Sequence, residues 1–245
     1  MLGVKNTVKF LLQKILGYKS YLYTFARFKI KTLHLDTKEN DFFFFLSLLK
    51  DQQGAVLDIG ANIGIMTRHM AQKLPNTPIH AFEPMPDNAE VLRRIIKEFS
   101  LNNVHLHEIA LGESKGSVEM ILPHQGGTKM QGLSHVKHPS IQEWNQGDEV
   151  SVEMEKLDDL LAKEKIQGIK IDIENFEYFA LKGGERVLSD QKPIIYAELW
   201  ENENRTNCMN FLSDLGYSAF ILKENKLVPF NATQHKNQNF IFKAN

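Results

Sequence analysis

From Val56 to Gly64 the chain reads Val-Leu-Asp-Ile-Gly-Ala-Asn-Ile-Gly, an apolar run that leads into a glycine turn. Gly60 suits a tight turn and lets backbone approach a ligand with no side chain between them. Gly64 suits close helix–strand packing. A helix predicted to open near Asn62 presents unpaired N–H groups, a seat for a carboxylate or a phosphate. Two acids flank this turn. Asp58 stands just before it, and Glu83 follows Gly64 by nineteen residues in Ala81-Phe82-Glu83-Pro84. An acid at that spacing can accept hydrogen bonds from ribose hydroxyls. Together these residues predict a nucleoside-containing ligand; a purely structural glycine turn is the competing explanation.

The residue types also discriminate between ligands. Dinucleotide sites favour G-x-G-x-x-G, and Asn62 occupies the second glycine position, where a pyrophosphate must come close. A carboxylate at Asp58 is unfavourable beside a pyrophosphate, but it complements an ammonium and a sulfonium. S-adenosyl-L-methionine is therefore the expected cofactor, ahead of a nicotinamide dinucleotide.

The elements that must hold these residues begin at residue 55. Ala55–Ile59 is a predicted strand and Ile63–Lys73 a predicted helix. Pro78–Phe82, Val104–Ile109, Ser117–Leu122, Ile169–Ile173, Ile194–Leu199, Tyr217–Leu222 and Asn239–Phe242 are further strands, and Pro86–Phe99 is a helix with one apolar face. Strands alternating with helical segments imply an α/β fold, a doubly wound and mostly parallel sheet with helices on both faces. The last two strands have no helix between them and are expected to pair as an antiparallel hairpin at one edge. Residues 123–149, rich in glycine and histidine, interrupt the rhythm. They are expected to form a long loop, either an active-site lid or a surface excursion.

Residues 1–50 form a predicted helical extension, with the catalytic domain over residues 51–245. Val4, Val8, Leu11, Leu12, Ile15 and Leu16 recur at helical spacing with lysines between them. Residues 1–38 carry eight basic side chains against Asp36 alone, a net +7, so the rest of the chain carries −8 of the overall −1. Residues 1–20 either dock on an anionic membrane or a partner, or pack on their own domain; amphipathicity alone does not separate these readings. The run Phe42–Phe45 with Leu46, Leu48 and Leu49 is read as a second helix, buried. The single cysteine, Cys208, fits a reducing compartment and inert packing. No apolar run reaches the ~20 residues of a membrane span. The expected location is cytoplasmic, with contact at the inner membrane surface as the alternative that the basic helix raises.

Asp58-Ile59-Gly60-Ala61-Asn62-Ile63-Gly64 resembles the D-x-G-A-N-x-G signature of the FkbM-type methyltransferase family. The likeness continues through Phe82-Glu83-Pro84, Ala110-Leu111-Gly112-Glu113, Leu157-Asp158-Asp159-Leu160-Leu161 and Ile169-Lys170-Ile171-Asp172-Ile173-Glu174. It then runs by Glu177, Leu181-Lys182-Gly183-Gly184 and Pro193 to Glu198, in the same order over about residues 40–243. The resemblance implies a Rossmann-like class I methyltransferase sheet and a methyltransferase acting on hydroxyls of sugars, glycans or similar products. It implies that Asp58, Gly60, Ala61, Asn62 and Gly64 surround the methionine part of the cofactor. Glu83 and Pro84 would lie at the ribose, Ala110 and Leu111 at the adenine, and Asp172 and Glu174 at the mouth of the reaction pocket. Where the family pattern D-x-E-G has glycine, this chain has Asn175, which tolerates left-handed backbone better than most residues.

Methyl transfer to a hydroxyl needs in-line alignment and a base to take the proton. Asp172, Glu174 and Glu198 at strand ends, and His135 in the loop, are the candidates. Each has a plainer reading: negative charge at a helix N-terminus for Asp172 and Glu174, a solvated strand end for Glu198, an exposed loop residue for His135. Two or three of the carboxylates could hold a divalent cation, but no ligand spacing compels a metal, and His105 and His107 are expected to pack or face solvent. A small-molecule or glycan acceptor is expected, and no nucleic acid, because the N/D-P-P-Y/F motif of base-amino methylation is absent. A non-catalytic cofactor-binding module and a nicotinamide-dependent oxidoreductase are the alternative functions.

Overall fold

The computed structural model describes residues 4–50, 53–141 and 143–244. Met1 to Gly3, at the head of the expected extension, and Asp51 and Gln52, at its expected boundary, lie outside the described residues. The chain opens with three helices, α1 (Val4–Leu16), α2 (Tyr18–Thr32) and α3 (Asn40–Leu49). An alternating series follows: β1 (Ala55–Ile59), α4 (Ile65–Lys73), β2 (Ile79–Phe82), α5 (Pro86–Glu98) and β3 (Val104–His107). Next come β4 (Ala110–Leu111), β5 (Gly116–Gln125), β6 (Thr128–Lys129), β7 (His135–Val136) and β8 (Gly147–Glu155). The last part holds α6 (Leu157–Leu160), β9 (Ile166–Ile171), α7 (Glu177–Lys182), α8 (Glu185–Gln191), β10 (Ile194–Glu198), α9 (Glu203–Asp214), β11 (Tyr217–Lys223), β12 (Lys226–Pro229) and β13 (Asn239–Ala244).

The main sheet has the order β12-β11-β13-β10-β9-β1-β2-β3. β3, β2, β1, β9 and β10 run parallel, and β13 inserts antiparallel between β10 and β11. The expected C-terminal hairpin is thus present as the β11–β13 pair. It is not the edge, however, because β12 folds back on β11 outside it. Only four residues long and half-exposed, β12 lacks the apolar alternation that would have revealed it in the sequence.

Side-chain alternation divides the core between the two sheet faces. Leu57, Ile59, Ile169, Ile171, Ile195, Phe240 and Phe242 pack under α7, α8 and α9, where Cys208 is fully buried. Val56, Ile79, Tyr196 and Ile241 pack under α3 and α4, against Phe42, Phe45, Leu46, Leu49 and Met70. Phe42 and Phe45 are completely buried, each worth about 1.5–3 kcal/mol against an exposed reference. The aromatic run is therefore core, as its helical spacing suggested.

Residues 123–141 and 143–149 are more ordered than a loop. β5, β8, β4 and β6 form a second sheet, largely antiparallel, with β7 on β5. Ala110, Met120, Leu122, Val136, Ile141, Val152 and Met154 seal it onto Met85 and Phe176 of the main body. β6 and β7 have two residues each, too short for a periodic signal. The order of the main sheet reverses between β1 and β9, and open α/β sheets bind ligands in the crevice at such a switch point.

Candidate functional site

A cavity of about 260 Å³ opens outside the carboxyl ends of β1, β2 and β9. Gly60, Ala61 and Asn62 form one wall, Glu83 and Pro84 a second, and Ile109, Ala110 and Leu111 a third. Lys170 near the end of β9, and Asp172 and Glu174 after it, also line the cavity. The second sheet contributes Gln131, Gly132, Ser134 and Val136, so the segment from 131 to 136 covers the cavity as the lid reading expected. Phe25, Lys29, Leu33 and Glu39 reach it from the N-terminal helices.

The glycine turn is shaped by close packing. Gly60 has φ +79°, and a Cβ there would stand 2.0 Å from the carbonyl oxygen of Asp172. Its N–H and that of Ala61 donate to the Phe82 carbonyl, each at 3.0 Å, tying the turn to β2. α4 begins at Ile65 rather than near Asn62, with Gly64 (φ +81°) as its N-cap. A Cβ on Gly64 would lie 2.4 Å from Leu92 Cδ1, so Gly64 permits helix–helix packing against α5 and does not line the cavity.

Glu83 is buried at the end of β2. Its Oε2 accepts from the Asn62 N–H at 2.8 Å, and its Oε1 from the Met85 N–H at 2.9 Å and Asn88 Nδ2 at 3.2 Å. Burial pushes its pKa up to about 7, against the pull of these donors. A carboxylate has about four lone-pair sites. Three are in use, which leaves room for a hydroxyl donor from the cavity.

Asp58 and Lys170 sit opposite each other in the β1–β9 register. Asp58 points to the face under α4, while Lys170 reaches the turn and lines the cavity. Asp58 is fully buried, its Oδ2 accepting from Thr67 Oγ1 at 2.6 Å. Lys170 Nζ lies 3.3 Å from Asp58 Oδ1, an ion-pair distance, and donates to the Gly60 carbonyl at 2.8 Å and the Ile59 carbonyl at 3.4 Å. Burial pulls the ammonium down, but Asp58, Asp172 and Glu198 outweigh it and raise its pKa. Asp58 therefore does not line the cavity; it fixes the lysine that fixes the turn.

The carboxylates after β9 are held in an unusual backbone. Glu174 and Asn175 both have left-handed φ, +56° and +73°. Asn175 thus adopts the conformation of the glycine it replaces, and its Oδ1 accepts from Asn202 Nδ2 at 2.5 Å. The turn is braced by Glu177, which accepts from the Ile173 N–H at 2.9 Å and from Asn204 Nδ2 at 2.7 Å. Burial raises Asp172, with Lys170 opposing, and raises Glu174 to about 9, with Asp172, Glu177 and Glu198 adding repulsion. Burial and Asp172 raise Glu198, at the end of β10, to about 7, but Glu198 does not line the cavity.

His135 is not brought to this site. It is buried, with Nδ1 2.8 Å from the Leu133 carbonyl and Nε2 3.0 Å from Asn145 Oδ1, so both ring nitrogens are engaged in holding the lid. His105 and His107 pack with His80: His80 Nδ1 is 2.9 Å from His107 Nε2, and His105 stacks on His80. Among the described residues no group of three or more His, Cys, Asp or Glu side chains has the geometry to hold a metal ion.

Buried polar atoms test whether the cavity suits a polar ligand. Asn62 Oδ1, Gln131 Oε1 and Ser134 Oγ lack hydrogen-bond partners among the described residues, and all three residues line the cavity. Buried polar groups are nearly always paired, so these atoms await a ligand or water. Apolar Phe82, Ile109, Ala110 and Leu111 beside Glu83 make a slot for a flat ring next to a ribose. The residues present fit S-adenosylmethionine. The sequence reading missed Lys170, Glu39, Asn88, Gln131 and Ser134. Of these only Lys170 carried a signal, a charge inside the apolar strand Ile169-Lys170-Ile171.

Residues 58–219 match the methyltransferase FkbM domain family. The chain is 28% identical over 142 residues to Methyltransferase 1 of Beauveria bassiana (strain ARSEF 2860), covering 52% of this chain and 57% of that protein. It is 25% identical over 188 residues to Methyltransferase sdnD of Sordaria araneosa, covering 66% and 73%. The fold resembles that of methyltransferase FkbM from Methylobacillus flagellatus KT, with a TM-score of 0.54 and 16% identity over 78% of this chain and 43% of that one. The chain thus spans little more than half the length of the first of these relatives. S-adenosyl-L-methionine, the cofactor expected from the sequence, agrees with these likenesses. The chain belongs to the methyltransferase FkbM domain family.

Proposed function

We propose that this chain is an S-adenosylmethionine-dependent methyltransferase that methylates a hydroxyl of a sugar, glycan or other small acceptor. The observation that carries the reading is the placement of Glu83 and the Asp172–Glu174 pair around one cavity at the sheet's switch point. When bound, the cofactor supplies an electrophilic methyl group on a sulfonium.

Glu83 would accept the ribose hydroxyls, and Ile109 to Leu111 would flank the adenine. The Gly60–Asn62 backbone, held down by Lys170, would face the amino-acid portion. The acceptor hydroxyl must lose its proton as the new O–C bond forms, and a cavity carboxylate takes it. Glu174, at about 9, holds a proton at neutral pH in the ligand-free chain. Burial raises Asp172 as well, but Lys170 opposes that shift, so Asp172 is the carboxylate assigned as the base. A cationic ligand beside these carboxylates would further favour their ionised forms. Positioning by the cavity walls supplies the rest, for which ~7–11 kcal/mol is attainable.

Incubation with methyl-labelled cofactor and a panel of hydroxylated acceptors tests the reading. Label should reach an acceptor hydroxyl, and Asp172→Asn should lower kcat, read at saturating cofactor, by about 10²–10⁴-fold. Cofactor binding with no transfer to any acceptor would instead support a non-catalytic module. Binding of a reduced nicotinamide cofactor would support an oxidoreductase.

A further inference from the structure

The apolar stripe of α1 does not pack on the chain's own core. Val8, Leu11, Leu12, Ile15 and Leu16 follow the i, i+3, i+4, i+7, i+8 spacing of one helix face, yet they are between 40% and 76% exposed. The helix is held by its other side. Gln13 clasps the Lys129 backbone both ways, Nε2 donating to its carbonyl at 3.0 Å and Oε1 accepting from its N–H at 3.1 Å. Phe10 lies over Gly127, and Lys9 Nζ is 3.5 Å from Met130 Sδ. Held in this way, the helix turns five aliphatic side chains toward water. An exposed aliphatic stripe of this regularity marks a surface that another phase or molecule covers.

Charge decides what covers it. Residues 1–38 carry +7. Lys19, Arg27 and Lys29 are paired with Asp87 and Glu90, with Glu98, and with Asp36. Lys14 on α1 and Lys31 on α2 are exposed, with no carboxylate partner among the described residues, and Phe28, three residues before Lys31, is 61% exposed. A second copy meeting this face through the same face would set lysines against lysines. Anionic lipid offers the complementary charge together with an apolar interior.

We propose that α1 docks on an anionic lipid surface, with its aliphatic stripe in the headgroup boundary and Lys14, together with Lys31 of α2, on lipid phosphates. The docking is independent of the reaction assigned to the cavity, but it bears on access. α1 grips residues 127–130 directly before Gln131, Gly132 and Ser134, which line the cavity, and α2 lines it with Phe25 and Lys29. A docked helix therefore sets the lid beside the bilayer.

Co-sedimentation of the full chain with vesicles tests this. The chain should sediment with vesicles containing phosphatidylglycerol and not with pure phosphatidylcholine, and added salt should weaken the binding. Leu11→Glu/Ile15→Glu should bind about tenfold or more weakly, with an unchanged helical circular dichroism spectrum and unchanged S-adenosylmethionine affinity. Lys14→Glu should reduce the salt-sensitive part. Failure of the parent chain to bind anionic vesicles, or equal binding by the double variant, would overturn the proposal. So would light scattering that shows a dimer which the double variant dissociates.

Discussion

Lys170→Met is the most informative single substitution, because Lys170 joins the core to the site. In the parent chain its ammonium is 3.3 Å from Asp58 Oδ1 and 2.8 Å from the Gly60 carbonyl, with Asp172 and Glu198 also acting on it. Methionine fills a similar volume but leaves Asp58 buried without its cation. Removing one partner of a buried ion pair costs about 3–5 kcal/mol. For a domain of this size that lowers Tm by roughly 10 °C, at about 2–4 °C per kcal/mol. Adding Asp58→Leu removes the stranded charge, so the double variant should recover most of the loss. A residue of about 1–3 kcal/mol should remain, because Thr67 Oγ1 and the Gly60 carbonyl lose partners. Urea unfolding of the four proteins, followed by circular dichroism, gives the cycle. Single-variant losses that add within about 0.5 kcal/mol would refute a coupled pair. The double variant, stable again, should still bind cofactor less tightly, since nothing then holds the Gly60 carbonyl from beneath.

Other consequences are equally direct. Glu83→Gln puts an amide NH₂ against one of the three donors that now face the carboxylate; calorimetry should show cofactor affinity lower by about tenfold or more, at ~1.5–3 kcal/mol for a charged hydrogen bond. Gly60→Ala forces a Cβ onto the Asp172 carbonyl, and thermal unfolding should show one of the largest losses in the chain. In the ligand-free chain Glu83, Glu177 and Glu198 lie near 7 and Glu174 near 9, all above the ordinary 4.5. The folded chain then holds more protons than the unfolded one between about pH 4.5 and 9, so the Tm should be highest on the acid side and fall as pH rises through that window. S-adenosylmethionine binding near pH 7 should release protons, and S-adenosylhomocysteine, uncharged at sulfur, should release fewer. Calorimetry in buffers of differing ionisation enthalpy reads that difference.

The parallel sheet was legible because its strands are short apolar runs closed by Gly60, Glu83 and Asp172, and such runs have few alternatives. β12 and the small strands of the lid were not, because two to four half-exposed residues carry no period. The role of Asp58 was misread for a related reason. Sequence shows that an acid precedes the turn but not which sheet face it takes; alternation with Leu57 and Ile59 sends it under α4, to Thr67 and Lys170. Lys170 was readable in principle, since a lysine between two buried isoleucines requires a buried acid and Asp58 was the candidate on the neighbouring strand. Glu39, Gln131 and Ser134 reach the cavity from elements distant in sequence, and only the fold brings them there. For α1 the sequence left docking and packing on its own domain open; the helix is clasped through Gln13 on Lys129, with the apolar stripe outward.

A crystal structure of the full chain grown with S-adenosylhomocysteine tests the central claim most directly. The ribose hydroxyls should lie within hydrogen-bond reach of Glu83, the adenine beside Ala110 and Leu111, and the sulfur toward Asp172 and Glu174. A ligand bound elsewhere, or a cavity filled by the chain's own side chains with the ligand in excess, would contradict it.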